Sequence, residues 1–201
     1  MLATTFLVVR REVFGGQTAA AGVQRADRAL RNWNEISGDG HRMGGTNPKL
    51  TIVEFADFEC PACRQFFPVI ESFRARHPKD VAFVFRHWPL PYHRFAYPSA
   101  RASECAAAQG RFAEFYGELY RKQDSLGLVQ FRELARNAGV ENLNEFDKCS
   151  GSSDSVKTIS SDLALAKAMK AWGTPTVIVN GVLLSETPDQ AKLEGLLAAA
   201  K

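Results

Sequence analysis

No run of about 18 apolar residues occurs in this 201-residue chain, so a complete membrane-spanning helix is excluded. Charge of one sign is scarce too. Twenty-five Lys and Arg against 22 Asp and Glu leave a net charge of +3, spread along the chain, which reads as an ordinary solvated surface and gives no argument for nucleic acid. Cysteine is limited to four residues, an even number that permits two disulfides without requiring them; an oxidising compartment would make both pairs sensible. Internal repeats and low-complexity tracts are missing. What remains is a globular composition, 45% apolar and 23% charged, in a chain long enough for one domain with a proper core, or one domain with an insertion.

The start is unusual. MLATTFLVVRR is a short apolar run ending in Arg10 and Arg11. It lacks the charged front and small-residue cleavage site of a signal peptide. It reads equally as the tail of a membrane anchor and as a disordered leader. Residues 1–48 together read as a lead-in: VQRADRALRNW suggests a short helix with Val23, Ala26, Leu30 and Trp33 near one face, and SGDGHRMGGTNP suggests loop.

From Leu50 the pattern changes. LTIVEFA is a compact, β-branched and aromatic run of strand length; Pro61 to His77 reads as a helix with Phe66, Ile70 and Phe73 on one stripe and a kink expected at Pro68; Val81 to Trp88 reads as a second buried strand. Strand, helix and strand in that order suggest a βαβ unit. Residues 95–171 carry almost no strand signal and read as helices, one of them ending at Gly139. PTVIVNGVLL then reads as a hairpin around Asn180-Gly181, and TPDQAKLEGLLAAA as a closing helix with Thr187 as cap and Pro188 first.

Between the first strand and its helix lies CPAC, with Cys60 and Cys63 two residues apart. A structural zinc site usually needs four ligands, yet Cys105 and Cys149 stand far off and singly, and His41, His77, His87 and His93 show no ligand spacing. No metal is therefore expected. Covalent haem wants His after the second cysteine, where this chain has Arg64. A redox pair has a mechanism. Pro61 suits the first helical position, which puts Cys60 at the N-cap, where free N–H groups and the helix dipole stabilise a thiolate. Such sites lower a cysteine pKa from about 8.5 to roughly 3.5–7.5. Cys60 is then the nucleophile and Cys63, one turn on, the resolving thiol. Later, GTPTVIVNG puts Pro175 just before a strand. Taken alone this is an ordinary trans proline at a strand entry. The backbone of Thr174 would be free to pair with an extended peptide.

CPAC after a strand, a long helical stretch, FRHWPLPYHRFAYPSARASECAAAQGRF following the second strand, and GTPTVIVNG before a last helix together resemble the DsbA-like thiol-disulfide oxidoreductases of the thioredoxin superfamily. The resemblance covers about residues 44–200. It implies an α/β thioredoxin fold carrying an inserted helical domain: residues 49–94 and 172–201 as the thioredoxin-like part and 95–171 as the insertion. Cys60 and Cys63 match the active-site pair with Pro61 and Ala62 between them, and Pro175 matches a cis-proline facing the disulfide, preceded by Thr174. Glu54 matches a buried acid on the strand below the site, able to relay a proton to Cys63; a strand residue pointing at water is the competing reading. Cys105 and Cys149 match a second disulfide that the loop model values at about 4 kcal/mol, against two free buried cysteines. No cofactor is implied. The resemblance further implies work outside the cytoplasm, as a monomer, on reduced or unfolded secreted proteins, with reoxidation by a quinone-linked membrane partner.

One departure stands out. Well-known members carry Pro-His between the cysteines, and this chain has Pro61-Ala62, with Glu59 alongside. Ala62 offers neither hydrogen bond nor charge to a thiolate, so a less oxidising protein is expected. His87 and His93 are read as packing or surface residues, and Phe58, Trp88 and Phe95 as core before any peptide-binding rim.

Overall fold

The computed structural model describes residues 26–200. The run MLATTFLVVRR, and the first three residues of the helix expected over residues 23–33, lie outside the described residues.

Seven-residue β3 (Leu50–Ala56) and β4 (Val81–His87) form the parallel centre of the sheet, joined by α2 (Pro61–Arg76). Both strands are buried on both faces, which is why they read as near-continuous apolar runs. On β3 the pleat sends Ile52, Glu54 and Ala56 to one face and Val53 and Phe55 to the other. The first face meets α2, the helical insertion and α8 (Gln190–Ala199) in the larger core; the second meets α1 (Trp33–Gly38) and α7 (Lys157–Ala168). Pro68 sits inside α2 without ending it.

The hairpin β5 (Thr176–Val179) and β6 (Val182–Leu183) pairs antiparallel onto β3. Its turn puts Asn180 at φ 45° and Gly181 at φ 85°, the left-handed pair that suits a two-residue hairpin. Helix α8 starts two residues later than the sequence suggests. Asp189, not Thr187, caps it, accepting from the Lys192 N–H at 2.8 Å. Asp is the stronger cap and its side chain reaches the orphan N–H directly.

The segment read as a lead-in supplies both edges of the sheet, in order β1-β6-β5-β3-β4-β2. β1 (Arg28–Ala29) pairs with β6 where a helix was expected, and β2 (His41–Gly44) pairs with β4 where a loop was expected. The glycines that suggested a loop do something else here. Gly44 has φ +99°, and a Cβ there would stand 2.5 Å from the Val81 carbonyl; at Gly45 it would stand 2.3 Å from the Lys79 carbonyl. They let an edge strand approach the β4 backbone closely.

Between β4 and β5 lie five α-helices, α3 (Ala96–Ala107), α4 (Phe112–Arg121), α5 (Phe131–Asn137), α6 (Leu143–Ser150) and α7, and a short 3-10 turn at Gln123–Ser125. Gly110 breaks α3 from α4 and Gly139 ends α5, both with left-handed φ. Cys105 on α3 and Cys149 on α6 are joined by a disulfide, 44 residues apart in sequence.

Candidate active site

The chain leaves β3 at Ala56 and turns through Asp57-Phe58-Glu59 into α2. Asp57 builds the turn. Its Oδ1 accepts the Glu59 N–H at 2.7 Å, and its backbone carbonyl accepts the Cys60 N–H at 3.1 Å. Cys60 therefore occupies the N-cap with extended backbone, and Pro61 follows at the first helical position. Both cysteines carry free thiols. Both are buried, but Cys60 keeps 6% of its surface exposed against 1% for Cys63, so it is the more open of the two to a partner sulfur.

Their acidities diverge. The Cys60 thiol is lowered to about 5, first by the hydrogen bond from Cys63, with Thr174 and the backbone N–H groups of Cys63 and Ala62 acting the same way against burial. The Cys63 thiol is pushed well up, by burial first and then by its bond to Cys60 and the nearby Glu54. One sulfur is a thiolate at neutral pH and the other a thiol. Iodoacetamide labelling of Cys60 should accordingly follow a single titration centred near pH 5, losing rate below it and reaching a plateau above about pH 6. A midpoint close to that of free cysteine, about 8.5, would show that the helix start does not ionise this sulfur.

The Thr174–Pro175 bond is cis, and the Cys60 thiol lies 3.4 Å from the Thr174 carbonyl. Beside it, Ala62, Trp172, Thr174, Pro175, Leu184 and Glu186 line a cleft of ≈ 430 Å³. Glu54 lies below, 1% exposed, with Oε1 lacking a partner, so it does not point at water. Burial, then the charges of Cys60 and Glu71, push its carboxyl well up, which keeps it protonated. Phe58 belongs to the core at 1% exposure, while Phe95 and Trp88 are half-buried.

Three residues at the back of the turn stood outside the site as read from the sequence, His93 among them as a packing or surface residue. Gln123 donates its Nε2 to the carbonyls of Phe58 at 2.8 Å and Cys60 at 3.0 Å. Asp57 Oδ2 accepts the Leu90 N–H at 2.8 Å and meets His93 Nδ1 at 2.7 Å. His93 therefore touches the turn. The Asp57-x-Glu59 spacing carries the signal of a side-chain-closed turn; nothing in the sequence marks Gln123 or His93. His87 lies wholly inside, its Nε2 at 2.8 Å from Glu104.

The family model described as thioredoxin matches residues 37–199. Among curated proteins, "Na(+)/H(+) antiporter NhaA 1" of Mycolicibacterium gilvum is 38% identical over 164 residues, 80% of this chain and 26% of that protein. The chain thus spans about a quarter of the length of the curated relatives it matches. Among solved structures, BdbD from Bacillus subtilis superposes with TM-score 0.72 at 20% identity, covering 88% of this chain and 98% of that one. A thioredoxin-like oxidoreductase from Silicibacter pomeroyi DSS-3 superposes with TM-score 0.70 at 24% identity, covering 84% and 97%. At these identities the two structures speak to fold.

Proposed function

This chain belongs to the thioredoxin family, and from that premise we propose that it is a DsbA-like thiol-disulfide oxidoreductase that introduces or exchanges disulfides in extracytoplasmic proteins through Cys60 and Cys63. The observation that carries the reading is the split between an acidic, slightly exposed Cys60 and a sealed, weakly acidic Cys63 on one helix turn.

In the oxidising direction a substrate thiolate attacks Cys60 Sγ of the Cys60–Cys63 disulfide, and that bond breaks as the mixed disulfide forms. The electron pair leaves on Cys63, whose high pKa demands a proton, and the protonated Glu54 beneath it is the donor. The extended substrate pairs along Thr174-Pro175. A second substrate thiolate then attacks its own sulfur in the mixed disulfide and expels the Cys60 thiolate. The substrate loses two electrons and the pair gains them; a quinone-linked membrane oxidase would withdraw them again. Cys105–Cys149, on α3 and α6 of the insertion, acts as a structural bridge.

Clients are reduced or unfolded secreted proteins, and the protein works as a monomer in the periplasm or cell envelope. Proteins named as antiporters that contain matching stretches support a membrane-proximal setting. Among the described residues no helix is long and apolar enough to cross a membrane.

The test is stoichiometric. Oxidised protein mixed with reduced, unfolded ribonuclease should restore ribonuclease activity while its own pair becomes the dithiol. A glutathione titration of the same pair should place it less oxidising than Pro-His members, because Ala62 supplies no donor beyond its backbone. Failure to reactivate ribonuclease, with rapid reduction of insulin instead, would transfer the site to a reductase or isomerase. Activity that persists without cysteines would make it a chaperone.

A further inference from the structure

Glu104 lies 63 residues from His41 and 17 from His87 along the chain, yet the three side chains converge. His41 stands on edge strand β2, directly across from Phe85; His87 lies two residues further along β4, on the same face of the sheet. Glu104 comes down from α3. His87 Nε2 is 2.8 Å from Glu104 Oε1, and His41 Nε2 meets the same oxygen. The three donor atoms lie within 4.8 Å of one another. We propose that His41, His87 and Glu104 form a divalent transition-metal site, with Zn²⁺ the fitting ion, that fastens α3 of the insertion to the edge and centre of the sheet.

Donor chemistry selects the ion. Two imidazoles and one carboxylate suit a borderline cation; Ca²⁺ and Mg²⁺ call for all-oxygen shells. Three protein ligands leave the fourth tetrahedral position to water. Around Zn²⁺, with bonds of about 2.0–2.1 Å, tetrahedral donors stand about 3.3 Å apart, so the farthest pair here closes by at most about 1.5 Å. The side chains of His41 and Glu104 are 19% and 15% exposed, which provides an entry path, whereas His87 is sealed at 1%.

The walls are prepared. The His41 ring stacks on Phe112 at 3.5 Å and 7°, and His87 stands edge-on to Phe85 and Phe112 at 5.2 and 6.2 Å. One feature limits the affinity. His87 Nδ1 is buried without a partner, and ligation through Nε2 leaves the proton on Nδ1 with no acceptor. The site is therefore exchangeable rather than a tight structural centre. It is independent of the redox reading.

Zn²⁺ is titrated calorimetrically into the full chain after Cys60 and Cys63 have been closed as a disulfide, so that no thiolate competes. One Zn²⁺ per chain is expected. His41→Ala, and separately Glu104→Gln, should each weaken binding at least about tenfold while the circular dichroism stays native. Zn²⁺ should also displace the Nε2 resonances of two histidines in the unmodified chain, a reading that needs no variant to fold. Absent uptake, uptake unchanged in both variants, or uptake that leaves the histidine resonances in place overturns the site, and the trio is then a hydrogen-bonded staple only.

Discussion

Replacing Cys60 with serine is expected to abolish disulfide exchange, and replacing Cys63 with serine to yield a protein that attacks once and stays joined to its partner. The asymmetry follows from acidity and access. At pH 7 a thiol lowered to about 5 is almost wholly thiolate. Cys60→Ser removes that sulfur, and Cys63, weakly acidic and 1% exposed, cannot stand in for it. Cys63→Ser removes the resolving thiol and preserves a hydroxyl able to donate to Cys60, the largest contribution to its acidity. Cys63→Ala removes that donor as well. A Cys60 returned all the way to the ordinary thiol value of 9.0 would be about one per cent thiolate at pH 7 and would alkylate about a hundredfold more slowly; Cys63→Ala should move toward that limit and Cys63→Ser should not. Non-reducing gels of Cys63→Ser with reduced ribonuclease should show a mixed disulfide, and Cys60→Ser none. A trapped adduct formed by Cys60→Ser would reverse the assignment of the two sulfurs. The same shift has a thermodynamic sign. The folded pKa of Cys60 is depressed, so its contribution to the dithiol form is complete above the unfolded value of 9.0 and is lost as pH falls through about 5. The disulfide form has no such thiol and gains nothing. Relative to an ordinary dithiol, the pair becomes a stronger oxidant as pH rises across that window.

How much of this was legible depends on how local each cause is. The N-cap position of Cys60 could be read from five residues, because Pro61 and the two-residue spacing act within one turn of backbone. The two central strands and the Asn180-Gly181 hairpin were legible for the same reason. The cis bond at Pro175 was not: residues alone favour trans, and only the resemblance pointed to cis. β2 was hidden because its glycines serve a close approach to Val81 and Lys79, a neighbour no local pattern announces. Gln123 and His93 reach the CPAC turn from 63 and 36 residues away, so their roles exist only after the chain beyond β4 folds back. His41, His87 and Glu104 are the extreme case: no spacing rule links a glycine-flanked edge strand, the end of a core strand and a helix face.

The other large effect concerns a contact equally hidden in sequence. Asp162→Ala is expected to destabilise the fold by about 3–5 kcal/mol, the range for removing one partner of a buried ion pair. Asp162 on α7 accepts from Arg86 Nη1 at 2.7 Å and from the His87 backbone N–H at 2.8 Å, and both charged side chains are at most 2% exposed. Arg86 also donates to the carbonyls of Ile36 at 3.1 Å and Glu35 at 2.7 Å, so it ties α1, α7 and β4 together. Burial pushes the Asp162 carboxyl up and outweighs the opposing bonds from Arg86 and His87, so the value of the pair lies in its completeness. Alanine leaves a guanidinium charge inside the protein facing only carbonyls and strands the His87 N–H at the end of the strand beside Ala56. Asp162→Asn, which keeps an acceptor and loses the charge, should cost less. Arg86→Met combined with Asp162→Leu should also cost less than Asp162→Ala alone, because no uncompensated charge remains. Urea unfolding of the three variants ranks them directly. A double replacement as damaging as the single one would mean that shape at this junction, and not the stranded charge, governs how α7 is held against the strand that supports the active-site turn.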